Sequence, residues 1–133
     1  MRIVLDTNVL ISGIFFRGPA YHILQAWREK KVQFVITTEI FSEYSRVAEE
    51  ISHKYPGIDI SKIINLIAVH SEIVEAFSMA EQVCEDPDDD KFIACALSNK
   101  VKYIVSGDKH LLNLSGYMGL EMVKPQEFYS TFL

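Results

Sequence analysis

Short apolar runs alternate with helix-length stripes along this chain, and that alternation leaves few folds open. Arg2 to Leu5 reads Arg-Ile-Val-Leu, nearly continuous in apolar residues, and stops at Asp6-Thr7-Asn8. A strand buried on both faces has this pattern, and strands of that kind belong to parallel sheets covered by helices. The polar triplet after it predicts a turn. Gly18-Pro19 then opens a helix carrying Ile23, Leu24, Ala26 and Trp27, closed by the positive charge of Arg28 to Lys31. Val32 to Thr37 is a second strand, rich in β-branched residues.

The pattern continues to the end. Thr38 is expected to cap a helix whose stripe runs through Ile40, Phe41, Tyr44, Val47, Ala48 and Ile51, ending at Tyr55-Pro56-Gly57. Ser61 is expected to cap the next, with Ile63, Ile64, Ile67 and Ala68 inward. Glu72 to Phe77 predicts a weak third strand. A helix follows from Phe92 to Leu97, then a strand over Lys102 to Ser106 and a short helix through Leu111 and Leu112. A fifth strand at Leu120 to Val123 and a closing helical turn from Pro125 to Phe132 complete the series. The 133 residues suffice for one α/β domain spanning 1–133, and no repeat or linker divides it.

The longest apolar runs, Val9 to Phe16 and Ile63 to Val69, are far below the roughly 18 residues of a membrane span. Asp6 and Asn8 also interrupt the place where a secretory signal keeps its apolar segment. Two cysteines, Cys84 and Cys95, make neither a disulfide framework nor a metal quartet. A reducing, cytoplasmic setting is the expectation.

Charge carries the first pointed clue. The chain has 18 acidic and 13 basic residues, net −5, and residues 85–90 alone hold five acids and no base. Outside that hexapeptide the count balances at 13 acids and 13 bases, so the whole excess sits in Glu-Asp-Pro-Asp-Asp-Asp. An acidic run is ordinarily a solvated loop. This one falls where ligand sites of open parallel sheets form, outside the carboxyl ends of the strands. Asp6 follows the first strand, Asp108 follows the fourth, and Asp86, Asp88, Asp89 and Asp90 precede the helix after the third.

Each acid also has a plain structural use. Asp6-Thr7-Asn8 can bond its own backbone in a turn. Asp108 can cap the Leu111 helix, and Asp88 and Asp89 suit the cap of the helix starting near Asp90. Asp90 itself could point along that helix towards the strand ends. Glu43 borders the apolar stripe of its helix, where a bare carboxylate is costly, and Arg46 one turn on could pair it. Gathered on one rim without a matching cluster of bases, such carboxylates repel or hold protons. A hard divalent cation with oxygen ligands, Mg²⁺ or Mn²⁺, relieves this. Zinc fits less well, since no Cys–His set accompanies the acids. The chemistry of such a site is displacement at phosphorus.

Four segments sharpen this reading. They are Val4-Leu5-Asp6-Thr7-Asn8-Val9-Leu10, Thr38-Glu39-Ile40-Phe41-Ser42-Glu43-Tyr44, Asp86-Pro87-Asp88-Asp89-Asp90-Lys91-Phe92-Ile93 and Tyr103-Ile104-Val105-Ser106-Gly107-Asp108-Lys109-His110-Leu111-Leu112. In this order they resemble the PIN-domain ribonucleases, and more narrowly the toxin-type members of prokaryotic toxin–antitoxin pairs. The resemblance implies a three-layer α/β/α sandwich with a five-stranded parallel sheet. It implies an acidic quartet, Asp6, Glu43, Asp90 and Asp108, that holds Mg²⁺ or Mn²⁺, with Asp86 and Asp88 as further candidate ligands. Thr7, Asn8 and Ser106 fall where such proteins place supporting polar groups, and His110 stands where an acid is often found.

The resemblance further implies hydrolysis of single-stranded RNA to 5′-phosphate and 3′-hydroxyl ends, frequent homodimers, and inhibition by a small antitoxin protein. Arg17, Lys91 and Lys109 adjoin the acid segments and are the candidate RNA contacts. Trp27, Phe41 and Tyr44 match core stripes and are not expected to stack on bases. Two other readings compete. One is a PIN fold kept as a catalytically silent binding module. The other is a receiver-like phosphoacceptor domain, which would want paired acids after the first strand where this chain has Asp6-Thr7-Asn8.

Overall fold

The computed structural model describes residues 1–133. From the N-terminus the elements run β1 (Arg2–Leu5), α1 (Thr7–Phe15), α2 (Pro19–Arg28), β2 (Gln33–Ile36), α3 (Thr38–Ser52), α4 (Ile60–His70) and β3 (Glu72–Ile73). A 3₁₀ turn (Pro87–Asp89) then leads into α5 (Asp90–Ser98), β4 (Tyr103–Val105), α6 (Lys109–Leu112), β5 (Glu121–Val123) and α7 (Pro125–Phe132). All five strands are parallel, in the order β3-β2-β1-β4-β5.

β1 is central, and Ile3, Val4 and Leu5 are fully buried, which is why its apolar run does not alternate. It pairs with β4 in the register Leu5↔Val105 and with β2 in the register Ile3↔Phe34. The chain winds from β1 outwards to β3, returns across the sheet, and winds outwards again through β4 and β5. Right-handed crossovers therefore put α1 to α4 on one face and α5 with α6 on the other. The direction of winding changes between β1 and β4, and there the carboxyl ends of the strands open a crevice. No helix is long and apolar enough to cross a membrane.

The structure changes several local readings. Asp6-Thr7-Asn8 does not form a turn. Thr7 starts α1 directly, because the run that follows, Val9, Leu10 and Ile11, is buried against the body of the domain. Gly13 lies at the closest approach of α1 and α2, where a Cβ would come within 2.8 Å of the Ala20 carbonyl oxygen. The cap of α3 is Thr37, whose extended backbone lets its side chain accept from the Ile40 N–H at 3.2 Å; Thr38 is already helical. Asp59 rather than Ser61 caps α4.

β3 is also shorter than Glu72 to Phe77. Past Val74, which still donates to the Ile36 carbonyl, the backbone leaves the sheet and binds the end of α5 instead. Asn99 donates to the Glu75 carbonyl at 2.9 Å, and the Phe77 N–H donates to Ser98 Oγ at 3.0 Å. At the opposite edge Ser115 Oγ accepts from the Met122 N–H of β5 at 3.1 Å. Cys84 and Cys95 are buried free thiols.

Candidate active site

The crevice between β1 and β4 is built around one serine. The Asp6 N–H donates to the Val105 carbonyl at 3.0 Å, extending the β1–β4 ladder by one residue and fixing where the Asp6 side chain starts. Ser106, fully buried, donates its hydroxyl to Asp6 Oδ2 at 2.7 Å and accepts from the Asp108 N–H at 3.0 Å. One hydroxyl thus spans the crevice and sets both aspartates. Asp6 is only 6% exposed. Burial raises its pKa; the Ser106 bond opposes this, and the charges of Asp108 and Glu43 push it further up. Asp108 caps α6 as expected, accepting from the His110 N–H at 2.9 Å.

Glu43 stands in the second turn of α3, facing α1 and α5. Thr7, buried at the start of α1, donates its hydroxyl to Glu43 Oε2. Lys91 Nζ reaches Glu43 Oε1 at 2.8 Å, the Asp88 carboxylate at 2.8 Å and the Asp88 carbonyl at 2.8 Å. Arg46, the pairing partner that sequence spacing offers, turns outwards to Glu50 at 3.4 Å. The Lys91 side chain is 5% exposed, so the lysine expected to touch RNA lies inside the protein. Burial would lower its pKa, but bonds to Asp88 and Glu43 outweigh this and raise it. Beneath the pair, Tyr44 donates its phenol to the Leu5 carbonyl at 2.5 Å, tying α3 to the end of β1.

Within the acidic turn, backbone amides engage the Asp90 carboxylate. It accepts from the Cys84 N–H at 2.7 Å and the Val83 N–H at 3.1 Å, binding the segment before the turn. Burial works against its charge, but bonds from Cys84 and Val83 hold its pKa below the ordinary value. Asp86 accepts from the Asp88 N–H at 2.9 Å and so caps the 3₁₀ turn, and Asp88 is committed to Lys91. Asp89 remains. It occupies the cap position of α5 yet makes no side-chain capping bond. Burial first, then the charges of Asp6, Asp86 and Asp108, push its pKa up to about 6. Asp89, read from the sequence as a cap, is therefore the acid of the turn that feels Asp6 and Asp108.

The remaining expected residues separate. Asn8 is exposed and lies next to the crevice. Arg17 follows α1 at its far end, bonded to the Tyr21 hydroxyl at 2.7 Å with its guanidinium 4.6 Å from that ring. The neighbouring Phe15 and Phe16 pack on Tyr55, beyond the end of α3, so Arg17 is remote from the acids. Lys109 is exposed at the first residue of α6, beside Asp108, and makes no ion pair. His110 pairs with Glu85 at 2.7 Å.

The structure thus sets Asp6 and Asp108 about Ser106, leaves Asp89 within the field of both, holds Glu43 on Lys91, and engages Asp90 with the Val83 and Cys84 amides. As they stand, no three acidic, His or Cys side chains converge at ligand distance. The donor chemistry still fits a hard divalent cation. It is all oxygen, and two of its carboxylates, Asp6 and Asp89, are destabilised by burial and like charge that a cation would offset.

That feature gives a pH prediction. The pKa of Asp89 is about 6 in the fold against an ordinary 3.8, so the folded protein holds a proton the unfolded chain releases. Its stabilising effect is complete below about pH 4 and is lost as pH rises through about 6. Melting curves in EDTA between pH 4 and 7.5 should show this fall, diminished in Asp89→Asn. Identical pH profiles for the two proteins would contradict it.

An all-parallel α/β sheet with aspartates at its switch point defines the architectural class, and sequence comparison identifies the family. A PIN domain family model matches residues 2–110, and the chain belongs to that family. An uncharacterized protein of Methanocaldococcus jannaschii is 30% identical over 144 aligned positions, covering 99% of this chain and 92% of that protein. The fold is shared with a chain in the crystal structure of VapBC2 from Rickettsia felis bound to a DNA fragment from their promoter. The TM-score is 0.64 at 14% identity, over 93% of this chain and 98% of that one.

Proposed function

We propose that this PIN-domain protein is a divalent-metal-dependent endoribonuclease that hydrolyses single-stranded RNA and acts as the toxin of a toxin–antitoxin pair. The observation that carries the nuclease reading is the Ser106 clamp: one buried hydroxyl bonds the Asp6 carboxylate and the Asp108 N–H across the switch point. Asp6, Asp108 and Asp89 would hold Mg²⁺ or Mn²⁺. When bound, such an ion supplies charge neutralisation at a phosphate and favours the ionised form of water.

The chain's own residues do the positioning. Ser106 keeps one oxygen of Asp6 aimed. Thr7 and Lys91 each bond one oxygen of Glu43 and so fix its orientation. Lys109, exposed beside Asp108, is the one candidate cation available to an RNA phosphate. Asp90 is a scaffold residue that fastens the acidic turn to Val83 and Cys84. Cleavage breaks the bond from phosphorus to the 3′ oxygen, giving 5′-phosphate and 3′-hydroxyl ends. The toxin role, with an antitoxin partner, a homodimer and a cytoplasmic setting, rests on the resemblance of the four segments to toxin-type PIN proteins; the shared fold with a VapBC2 chain is compatible with it.

The experiment is cleavage of a labelled single-stranded RNA by the purified protein. Cleavage is expected with Mn²⁺ or Mg²⁺ and none with excess EDTA, restored when metal is returned. RNA binding without cleavage under every metal condition would favour the silent binding module instead.

A further inference from the structure

Beside the acids, along the same edge of the sheet, lies a cavity that shares Lys91 and Asp88 with the site but is otherwise built from residues the hydrolytic reading does not use. It is a cleft of about 830 Å³ between the start of α3, the 3₁₀ turn and the extended segment after β3, with Lys91 and Asp88 in its wall. It opens over β2 and β3. At a strand spacing of about 4.8 Å, this is roughly 5–10 Å from the end of β1 that carries Asp6. A chain whose phosphate sits at Asp6 has its neighbouring nucleotide within reach of the cleft.

The charges in the cleft decide which part of a nucleotide enters. Glu39 and Glu75 line it, are exposed, and have no ion pair or side-chain hydrogen bond. The one cation in its wall is Lys91, whose ammonium is fully engaged by Glu43 and Asp88. A phosphate would meet two free carboxylates and no free base, so the phosphate is excluded. The rest of the lining mixes Thr37, Thr38, Ser78 and Asp90 with apolar side chains, of which Ile73 is 49% and Phe77 53% exposed on one side. Single exposed apolar residues are ordinary. These two line one cavity, and the Phe77 backbone is pinned by Ser98 while Asn99 pins Glu75, so the ring stands on a fixed support. A pinned aromatic face with unpartnered acceptors nearby suits a flat ring carrying N–H donors.

We propose that this cleft is a nucleobase subsite for the RNA strand. It receives a base with an exocyclic amino group, adenine or cytosine in preference to uracil, stacked against Phe77 with its donors towards Glu39 or Glu75. The inference rests on the single-stranded RNA reading above and adds to it a base preference that the acids cannot supply.

The test separates the two. Fluorescence anisotropy with short labelled oligo(A), oligo(C) and oligo(U) is measured in Mg²⁺ on Asp6→Asn, which leaves the strand uncut. The same titrations follow with Phe77→Ala and with Glu39→Gln/Glu75→Gln added; circular dichroism checks each fold. Oligo(A) and oligo(C) are expected to bind about tenfold or more tighter than oligo(U), and Phe77→Ala to weaken both by about tenfold. Removing the two carboxylates should narrow the preference over oligo(U). In the cleaving protein, Phe77→Ala should raise KM and leave kcat within about twofold. Equal binding of all three oligonucleotides, or indifference to Phe77→Ala, overturns the subsite even if RNA is cleaved. Base-selective binding that depends on Phe77 upholds it even if nothing is cleaved, and then the hydrolytic reading alone fails. No binding of any strand overturns both.

Discussion

Asp6→Asn is expected to abolish RNA cleavage and, in the same preparation, to raise the melting temperature of the metal-free protein. The two effects share a cause. Asp6 is 6% exposed, and burial together with the charges of Asp108 and Glu43 disfavours its ionised form. The raised pKa means that the folded protein binds this proton more tightly than the unfolded chain does. At neutral pH, above the ordinary carboxylate value of 3.8, Asp6 as an acid therefore opposes folding. Asn keeps the shape and still accepts the Ser106 hydroxyl, while the repelled charge disappears. A rise of about 3 °C or more is expected in EDTA. Cleavage should fall by about 10³-fold or more, the scale of losing a principal electrostatic group from a reacting centre. Measured together, the two numbers discriminate. Lost activity with lowered stability would mean a misfolded variant. Activity within about tenfold of the parent would remove Asp6 from the site.

Lys91→Met is expected to have the opposite character. The lysine side chain is 5% exposed and that of Glu43 16%, and the pair closes at 2.8 Å. Removing one partner of a buried pair strands the other charge, which costs about 3 kcal/mol or more. Urea unfolding should show that loss in Lys91→Met. Glu43→Gln combined with Lys91→Met should recover much of it, because no bare carboxylate then remains, yet cleavage should stay abolished in both. Arg46 and Glu50 make a useful comparison one turn away. Both are more than 60% exposed, and truncating either should change stability by less than about 1 kcal/mol. If Lys91→Met unfolds at the parent's urea concentration, the pair contributes no more than a surface contact. The lysine would then be free to serve RNA, as its place in the sequence first suggested.

Much of this is legible in the sequence. A sheet core of short apolar runs can only be hidden between helices, so Ile3 to Leu5, Phe34 to Ile36 and Ile104 to Val105 announced a parallel sheet. The acids at strand ends announced where its site would form. What sequence periodicity could not resolve was direction at the scale of one residue. Asp88, Asp89 and Asp90 are consecutive, and entry through a 3₁₀ turn into α5 gives their side chains three fates: Asp88 pairs with Lys91, Asp90 takes the Val83 and Cys84 amides, and Asp89 is left without a hydrogen bond in the field of Asp6 and Asp108. Composition is blind to that division. Lys91 was misplaced for a related reason. Helical spacing gives its neighbours on α5, but the carboxylate that buries it, Glu43, is 48 residues away on another helix. Thr7 illustrates the third difficulty. A polar triplet after a strand reads equally well as a turn or as the first residues of a helix, and only the burial of Val9 and Leu10 decides.

The two rims of the sheet bear on how the protein behaves in crowded solution. Edge strands offer rows of free amides and carbonyls that recruit strands from other molecules. Here β3 contributes two residues before its backbone is diverted to Ser98 and Asn99, and β5 contributes three, with the Met122 amide already taken by Ser115. Neither rim leaves a long ladder open to a second chain. The fold keeps its most β-prone stretches in the middle, so polymerisation through the sheet has little template from which to start.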